Sequence, residues 1–460
     1  MDKTTLKKLA GIVGPDHLRT SREERLCYSY DGSGLEYLPA AVAFPGATAE
    51  VSAIMQLAGQ AGFPVVPRGA GTGMTGGSLP VAGGLVLAMS RFNRIIEIDQ
   101  ANQVGVVEPG VITGRFQEEV RRAGLFYPPD PASHKFCTLG GNVGECAGGP
   151  RAVKYGVTRD YVLGLEAVLA NGQVINTGVR TAKGVAGYDL TRLLVGSEGT
   201  LAIITRITLR LLPCPTASTT FLLLFDSLHR ATTLVSAILA RLTPCTLEYL
   251  DRTALKIVAE ALPFPLPEQS EALLLIELDG DRKIVEIQAG ELAEFLADQP
   301  GLLGIRRAQD QEAAEQLWAA RRAISPSTFK LKPHKIGEDV VVPRTRIPEL
   351  VAFTEQLAAE HDLTILTFGH AGDGNIHVNI MLDRANPAEL AASLTAKALL
   401  FAQVIKMGGT ITGEHGIGIT KSAYLGQEID PPTLAVMRAI KKAFDPLNIL
   451  NPGKIFPGPP

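Results

Sequence analysis

The chain has 460 residues, with 44 Lys and Arg against 47 Asp and Glu and a formal net charge of -3. That balance sets up no broad field for a polyanion, which argues against nucleic acid as a partner, and the length is enough for two or more cores. Apolar runs such as FLLLF and ALLLIEL have only buried-strand length, so no membrane span is expected.

The opening MDKTTLKKLAGIVG carries basic residues but only a short apolar stretch before Pro15 and Asp16, a poor secretory leader. Cys27, Cys137, Cys146, Cys214 and Cys245 are scattered and form no CxxC pair. The pattern predicts neither disulfides nor an iron-sulfur cluster and fits a reducing cytoplasm, with any membrane association peripheral and through a partner.

Up to about Pro215, glycine-rich loops alternate with short apolar strands (FPVVP, GLVLAM, NQVGVVEP), the style of a cofactor domain. Its first glycine segment, PRGAGTGMTGG, spans Pro67 to Gly77 and sets Gly71, Gly73 and Gly76 at GxGxxG spacing. Glu97 and Asp99 follow about twenty residues on, as in a dinucleotide fingerprint. A Rossmann loop, however, must open a helix. The following GSLPVAGGLVLAM holds a proline, two more glycines and a β-like run, so the loop returns to a strand. Glycines still let backbone amides turn inward on a phosphate. A pyrophosphate cradle without a helix is therefore expected, with Arg68 adding charge and Thr72 or Thr75 a hydroxyl. A plain structural turn explains this segment alone equally well. It explains less once the glycine-rich segments Pro128 to Gly149 and Gly187 to Pro213 are counted, because three such loops in one domain suit a single long cofactor.

LLPCPT marks a boundary, after which strands alternate with longer helical patterns. TTFLLLF precedes SLHRATTLVSAILARL, ALLLIEL precedes DRKIVEIQAGELAEFLA, and EDVVVP precedes RIPELVAFTEQLAAEH. These units predict an α+β domain with an antiparallel sheet backed by helices. The division is 1–215 for the cofactor domain, 216–409 for a substrate domain, and 410–460 for a closing segment with a helix near PTLAVMRAIKKAFD.

Chemistry-bearing residues concentrate late in the chain. FGHAGDGNIHVN places His370 and His377 on either side of turn residues, with β-rich TILTF before and alternating HVNI after, and TGEHGIG supplies Glu414 and His415. A strand, tight turn and strand would bring both rings to one mouth. Imidazoles and a carboxylate suit zinc, manganese or iron(II) and leave coordination positions open. Structural histidines beside a turn are the competing reading, and local chemistry leaves the two even. Arg321 and Arg322 in LWAARRAISPS read on their own as a solvated helix face, and NPGKI as a turn with a cation.

Taken in order, PRGAGTG, DPAS with GGNVGECAGG, and GSEGTL resemble the FAD-binding domain of the vanillyl-alcohol oxidase type. FGHAGDGNIH, TGEHGIG and NPGKI extend the resemblance to the branch of glycolate oxidase catalytic subunits, D-lactate dehydrogenases and D-2-hydroxyglutarate dehydrogenases. The resemblance implies a two-subdomain FAD-binding domain, an α+β cap with an antiparallel sheet, and a C-terminal segment returning to the flavin. Noncovalent FAD would be held by Pro67, Arg68, Gly69, Ala70, Gly71, Thr72, Gly76 and Gly77 in the first loop. Pro129, Asp130, Ser133, Thr138, Gly140, Gly141, Asn142, Gly144, Gly148 and Gly149 serve in the second, and Glu198, Gly199 and Ile203 in the third. Asn451 and, secondarily, Lys454 would join them, while His134 is a polar loop residue rather than a covalent link.

By the same resemblance, one divalent ion (Zn, Mn or Fe) has His370, His377 and Glu414 as ligands, and His415 is the base. Trp318 and Arg321 match the family's spacing for an arginine that holds the substrate carboxylate. Lys335 resembles a second anion-binding position, Ser325 a weaker one, and Asn375 a polar substrate contact. The expected activity is FAD-dependent dehydrogenation of a small D-2-hydroxy acid, D-lactate foremost or glycolate, to the 2-oxo acid. Proton abstraction is metal-assisted and hydride goes to flavin N5. Electrons would leave to an external acceptor: a quinone, a cytochrome, an electron-transfer flavoprotein or an iron-sulfur sister subunit. The alternatives are D-2-hydroxyglutarate as substrate, or a flavin-carrying electron-transfer subunit without substrate chemistry of its own.

Overall fold

The computed structural model describes residues 1–457 and divides the chain into two compact units. The first comprises Met1–Gly148, Val157–Cys214 and the residues from Glu414 onward; the second comprises Gly149–Gly156 and Pro215–Gly413. The chain thus crosses between units at the proline-marked segment, again after Gly413, and once more in an eight-residue excursion within the second glycine-rich segment.

In the first unit, Val65–Arg68, Leu85–Ala88 and Ala41–Ala43 run parallel, with Leu18–Arg19 antiparallel at the edge. The helix Thr48–Ala61 buries Val51, Ile54, Met55, Leu57 and Ala58 in the core that holds Ala43, Val65 and Leu85. A second sheet is wholly antiparallel, in the order Ile95–Asp99, Val104–Val107, Ile203–Arg210, Val162–Val168, Val174–Gly178. No helix follows the Pro67–Gly77 segment before the Leu85–Ala88 strand, as the proline and glycines require. The segment Pro128 to Gly149, read from sequence as a loop, contains the helix Leu139–Glu145. Gly140, Gly141 and Gly144 each disfavour a helix by about 1 kcal/mol relative to Ala, which hid it. The cap explains it: the Thr138 hydroxyl accepts the Gly141 amide at 3.2 Å.

The second unit is built on a seven-stranded antiparallel sheet. Its order is Leu302–Arg307, Ala217–Phe225, Ala272–Gly280, Thr246–Asp251, Thr364–His370, Asn375–Leu382, His334–Val341. The three predicted strand-helix pairs are present, with helices Leu228–Leu239, Arg282–Leu296 and Ile347–Glu360. One face packs Leu250, Leu273, Leu275, Leu366, Phe368 and Met381 against the helices Arg252–Val258 and Gln311–Ser327. On the other, Ile336, Ile365 and Ile380 meet Ala392 and Ala396 of the helix Pro387–Lys406.

That last helix corrects the expectation that no segment is long and apolar enough to span a bilayer. By length and composition it passes, with 20 residues. Here it covers a sheet face, burying Ala396, Leu400, Phe401 and Val404. It also carries a buried charge, Lys397, whose Nζ lies 2.6 Å from Glu338 Oε1, with side-chain exposures of 8% and 3%. Removing one partner of such a pair strands the other in the interior. Lys397→Ala is expected to cost about 3–5 kcal/mol of stability, and Lys397→Met with Glu338→Leu to recover most of it, as read by urea unfolding.

The excursion Gly149–Gly156 is anchored within the second unit. Lys154 Nζ donates to the Asp279 carbonyl at 2.6 Å and to its Oδ1 at 2.5 Å, and the Tyr155 hydroxyl donates to Oδ2 at 2.7 Å.

Candidate active site

In the first unit the three glycine-rich segments converge. Pro67 and Arg68 end a strand, and the turn that follows needs Gly71 at φ 71°, a conformation L side chains rarely adopt. A Cβ on Gly77 would fall 2.6 Å from Glu145 Oε1, so the first segment meets the second at this glycine and the Glu145 carboxyl. Asn451, at φ 41°, ties the first to the third: its Nδ2 donates to the carbonyls of Gly77 and Glu198, both at 2.7 Å. Lys454 Nζ donates to the Leu79 carbonyl at 2.6 Å and to Asn451 Oδ1 at 3.1 Å, and burial lowers its pKa to about 8. Glu198 accepts the amides of Ile417 and Gly418 at 2.7 and 2.8 Å.

Not every predicted cofactor residue presents its side chain to such a cradle. Arg68 is buried and turned inward, donating to the Tyr30 carbonyl at 2.7 Å and the Ser78 hydroxyl at 3.3 Å; it braces the loop. Asn142 donates to the Thr113 hydroxyl at 2.8 Å. Gly149 lies in the second unit. His134 sits in a turn, its Nδ1 3.3 Å from the Pro131 carbonyl. Sequence reasoning passed over Glu145, a buried carboxylate whose Oε2 has no hydrogen-bond partner among the described residues. Burial, then the charge of Glu198, pushes its pKa well up. Glycine-rich turns with positive φ at Gly71 and Gly76, beside a buried carboxyl oxygen of Glu145 with no partner among the described residues, fit an extended phosphate-containing cofactor.

In the second unit the polar residues share one sheet face. Register opposes Phe368 to His377 and His377 to Asp339, and directly opposed residues point to the same side. Strand alternation adds His370, Asn375, Asn379 and Lys335 to that side. The His370 and His377 rings lie 5.1 Å apart, centroid to centroid, and nearly perpendicular. His370 Nδ1 is 2.5 Å from Glu248 Oε1, so any metal bond from this ring has to use Nε2. His377 Nδ1 stands 3.8 Å from Asp339 Oδ1, an ion-pair distance rather than a hydrogen bond.

Arg321 and Arg322 part company on the helix Gln311–Ser327. Arg322 pairs with Glu315 at the surface, whereas Arg321 turns in, with a side-chain exposure of 13%. Its Nε donates to Glu248 Oε2 at 2.6 Å and its guanidinium carbon lies 4.9 Å from the Phe368 ring centroid. Its terminal nitrogens have no hydrogen-bond partner among the described residues. Trp318 Nε1 donates to Glu277 Oε2 at 2.7 Å. Lys335 Nζ donates to the Ser325 hydroxyl at 3.0 Å, and burial lowers its pKa.

Three residues that sequence reasoning missed complete this face. Glu248 is fully buried; burial raises its pKa, but the charges of His370 and Arg321 outweigh that and hold it at about 2. Asp339, also fully buried, accepts from Asn375 Nδ2 at 2.5 Å, the Thr412 hydroxyl at 3.3 Å and the Gly413 amide at 2.9 Å. Asn375 also donates to the Val340 carbonyl at 3.1 Å, so the amide expected to meet substrate is committed to Asp339 and the backbone. The buried amide with no partner among the described residues is Asn379 Nδ2. Its position two residues after His377 on a strand was the available signal.

Glu414 and His415 follow Gly413 directly and belong to the first unit. There the His415 carbonyl accepts the Thr75 hydroxyl at 3.0 Å, and a Cβ on Gly148 would fall 2.8 Å from Glu414 Oε2.

A glycine-lined cradle in one unit and an arginine-histidine face on an antiparallel sheet in the other define a flavin-dependent oxidoreductase. The chain belongs to the FAD-linked oxidases: residues 214–455 match the family's C-terminal domain and residues 39–178 match the FAD binding domain. It is 45% identical to the glycolate oxidase subunit GlcD of Bacillus subtilis, over 99% of this chain and 97% of that one. It is 35% identical to a D-lactate dehydrogenase of Anaerostipes hadrus, over 89% of this chain and 87% of that one. A D-2-hydroxyglutarate dehydrogenase of Xanthomonas citri pv. viticola is 33% identical, over 91% and 89% of the two chains. Among solved structures, p-cresol methylhydroxylase with substrate bound shares the fold, with a TM-score of 0.80 at 17% identity over 99% of this chain and 96% of that one. Alkyldihydroxyacetonephosphate synthase does so with a TM-score of 0.77 at 19% identity, over 98% and 85%.

Proposed function

We propose that this enzyme oxidises a small 2-hydroxy acid, D-lactate or glycolate foremost, to the 2-oxo acid and passes the electrons to an external acceptor. The observation that carries the reading is the half-buried Arg321 with its terminal nitrogens unengaged, packed against Phe368 on the sheet face that carries His370 and His377. A planar guanidinium fork matches a carboxylate, and its Nε bond to Glu248 fixes the fork's direction. The names of the relatives point to the same substrate class.

In this reading Arg321 binds the substrate carboxylate, Asn379 offers an amide to one of its oxygens, and His415 takes the hydroxyl proton. His370 through Nε2, His377 and Glu414 would hold a divalent zinc, manganese or iron, with Asp339 beside His377. Glu414 and His415 receive these roles from the family resemblance. FAD, when bound, would supply the hydride acceptor for the oxidation at C2, and a divalent ion would lower the pKa of the substrate hydroxyl. The FAD would lie noncovalently against the Gly69–Gly77 turn, the segment from Thr138 to Gly148, and Glu198 with Asn451.

A second reading, D-2-hydroxyglutarate, has one observation in its favour. Lys335 puts another cation on the same face, within 3.0 Å of Ser325, where a distal carboxylate would need one.

The test is anaerobic stopped-flow bleaching of the metal-analysed flavoprotein with D-lactate, L-lactate, glycolate and D-2-hydroxyglutarate. Rapid bleaching by D-lactate or glycolate is the expected result, and rapid bleaching by D-2-hydroxyglutarate alone would select the second reading. Bleaching by none would make the chain an electron-transfer subunit and overturn the proposal.

A further inference from the structure

We infer that Glu248 is a positioning residue that fixes the carboxylate-binding arginine and a metal-ligating imidazole to each other, so that the substrate's two anchors sit at a set separation. The inference rests on the hydroxy-acid reading above and adds to it the link, through Glu248, between the arginine and the imidazole.

The geometry is that of a bridge. Glu248 Oε1 meets His370 Nδ1 at 2.5 Å and Oε2 meets Arg321 Nε at 2.6 Å, and no other hydrogen-bond partner of this carboxylate exists among the described residues. The three groups come from separate elements: the strand Thr246–Asp251, the strand Thr364–His370 and the helix Gln311–Ser327. Leu250 opposes Phe368 in the sheet, so alternation brings Glu248 level with His370. The carboxylate is fully buried, and a carboxylate in that position is costly unless both oxygens are engaged by cations or donors.

Two consequences follow from which atoms are used. Holding Nδ1 as a donor leaves Nε2 as the imidazole's lone-pair nitrogen, the arrangement in which a carboxylate orients a metal-ligating histidine and makes it more basic. Holding Nε of Arg321 directs the Nη1 and Nη2 edge away from Glu248, which is the edge that pairs with a carboxylate in a bidentate fork. A neutral amide at position 248 would keep the shape but lose one acceptor oxygen and the charge that both partners need. Metal affinity and substrate affinity are therefore linked through a residue that touches neither ligand.

The experiment uses the purified flavoprotein, stripped of metal with a chelator and titrated with zinc or manganese against a chromophoric competitor. Substrate affinity and limiting bleaching rate are then measured at saturating metal. Glu248→Gln is expected to keep its FAD, to bind zinc roughly 10- to 100-fold more weakly, and to keep a raised substrate dissociation constant even when metal is restored. Unchanged metal and substrate affinity in Glu248→Gln would overturn the inference.

Because a change at a buried charge can prevent folding, Arg321→Met gives an independent measurement. If Glu248 links the two groups, losing Arg321 shifts zinc affinity by roughly threefold or more, the coupling expected within one network. Zinc affinity unchanged in Arg321→Met would overturn it as well. A wild-type protein that takes up no metal and is bleached by no hydroxy acid would sink the functional reading. A wild type that does both, with variants that leave zinc affinity untouched, would sink only the bridge.

Discussion

Replacing His415 with Ala is expected to slow reduction of the flavin by a 2-hydroxy acid about 10²- to 10⁴-fold while FAD stays bound. The factor is what a positioned general base contributes when it takes a proton in the transition state. FAD retention follows from the way the residue is built in. Its backbone carbonyl, not its ring, accepts the Thr75 hydroxyl, so an alanine keeps the tie to the first glycine-rich segment. Anaerobic stopped-flow absorbance gives the rate, and the visible spectrum of the gel-filtered protein gives the flavin content. An unchanged reduction rate would remove His415 from the mechanism. Simultaneous loss of flavin would reassign the residue to the cradle.

For His377→Ala the expected loss is of metal and activity together. The ring lies between Phe368 and His370, with centroid separations of 5.3 and 5.1 Å, and stands 3.8 Å from the Asp339 carboxylate. Removing a direct ligand should weaken metal binding by more than the roughly 10- to 100-fold lost with an outer hydrogen-bond partner. The glycine-rich segments belong to the other unit, so flavin content is expected to be unchanged. Elemental analysis after dialysis reads the first effect and flavin bleaching the second. Full metal occupancy in this variant would contradict the ligand assignment.

What could be read from the amino-acid order follows from how far each signal reaches along the chain. The short continuous apolar runs in TTFLLLF and ALLLIEL, each followed by a helical pattern, are local signals, and those elements stand where the sequence places them. The turn between His370 and His377 is local too. Glu248 was invisible for the opposite reason: its partners lie 73 and 122 residues away, and LEYLD offers no neighbour to suggest a site. Asp339 did leave a trace, since an acid beside the apolar run VVV belongs to a strand that must pair it or expel it. Asn375 ends the conspicuous turn, whereas Asn379 lies within the strand; alternation from His377 puts both on the same face, and only hydrogen bonding separates them. The excursion Gly149–Gly156 left no mark in composition, because RAVKY is an ordinary short helix whose attachment to Asp279 is a long-range event.

The bonds from Asn451 and Lys454 to Gly77 and Leu79 span 374 and 375 residues of chain. A ribosome adding about 5–20 residues per second needs roughly 20–75 s to bridge that distance, during which the first turn lacks its bonds to Asn451 and Lys454. Every residue of the second unit is made in the interval, so that unit can complete its sheet while the other still waits. Flavin capture is therefore expected at the last stage of the protein's maturation, and a nascent chain stalled before residue 451 should be recovered colourless.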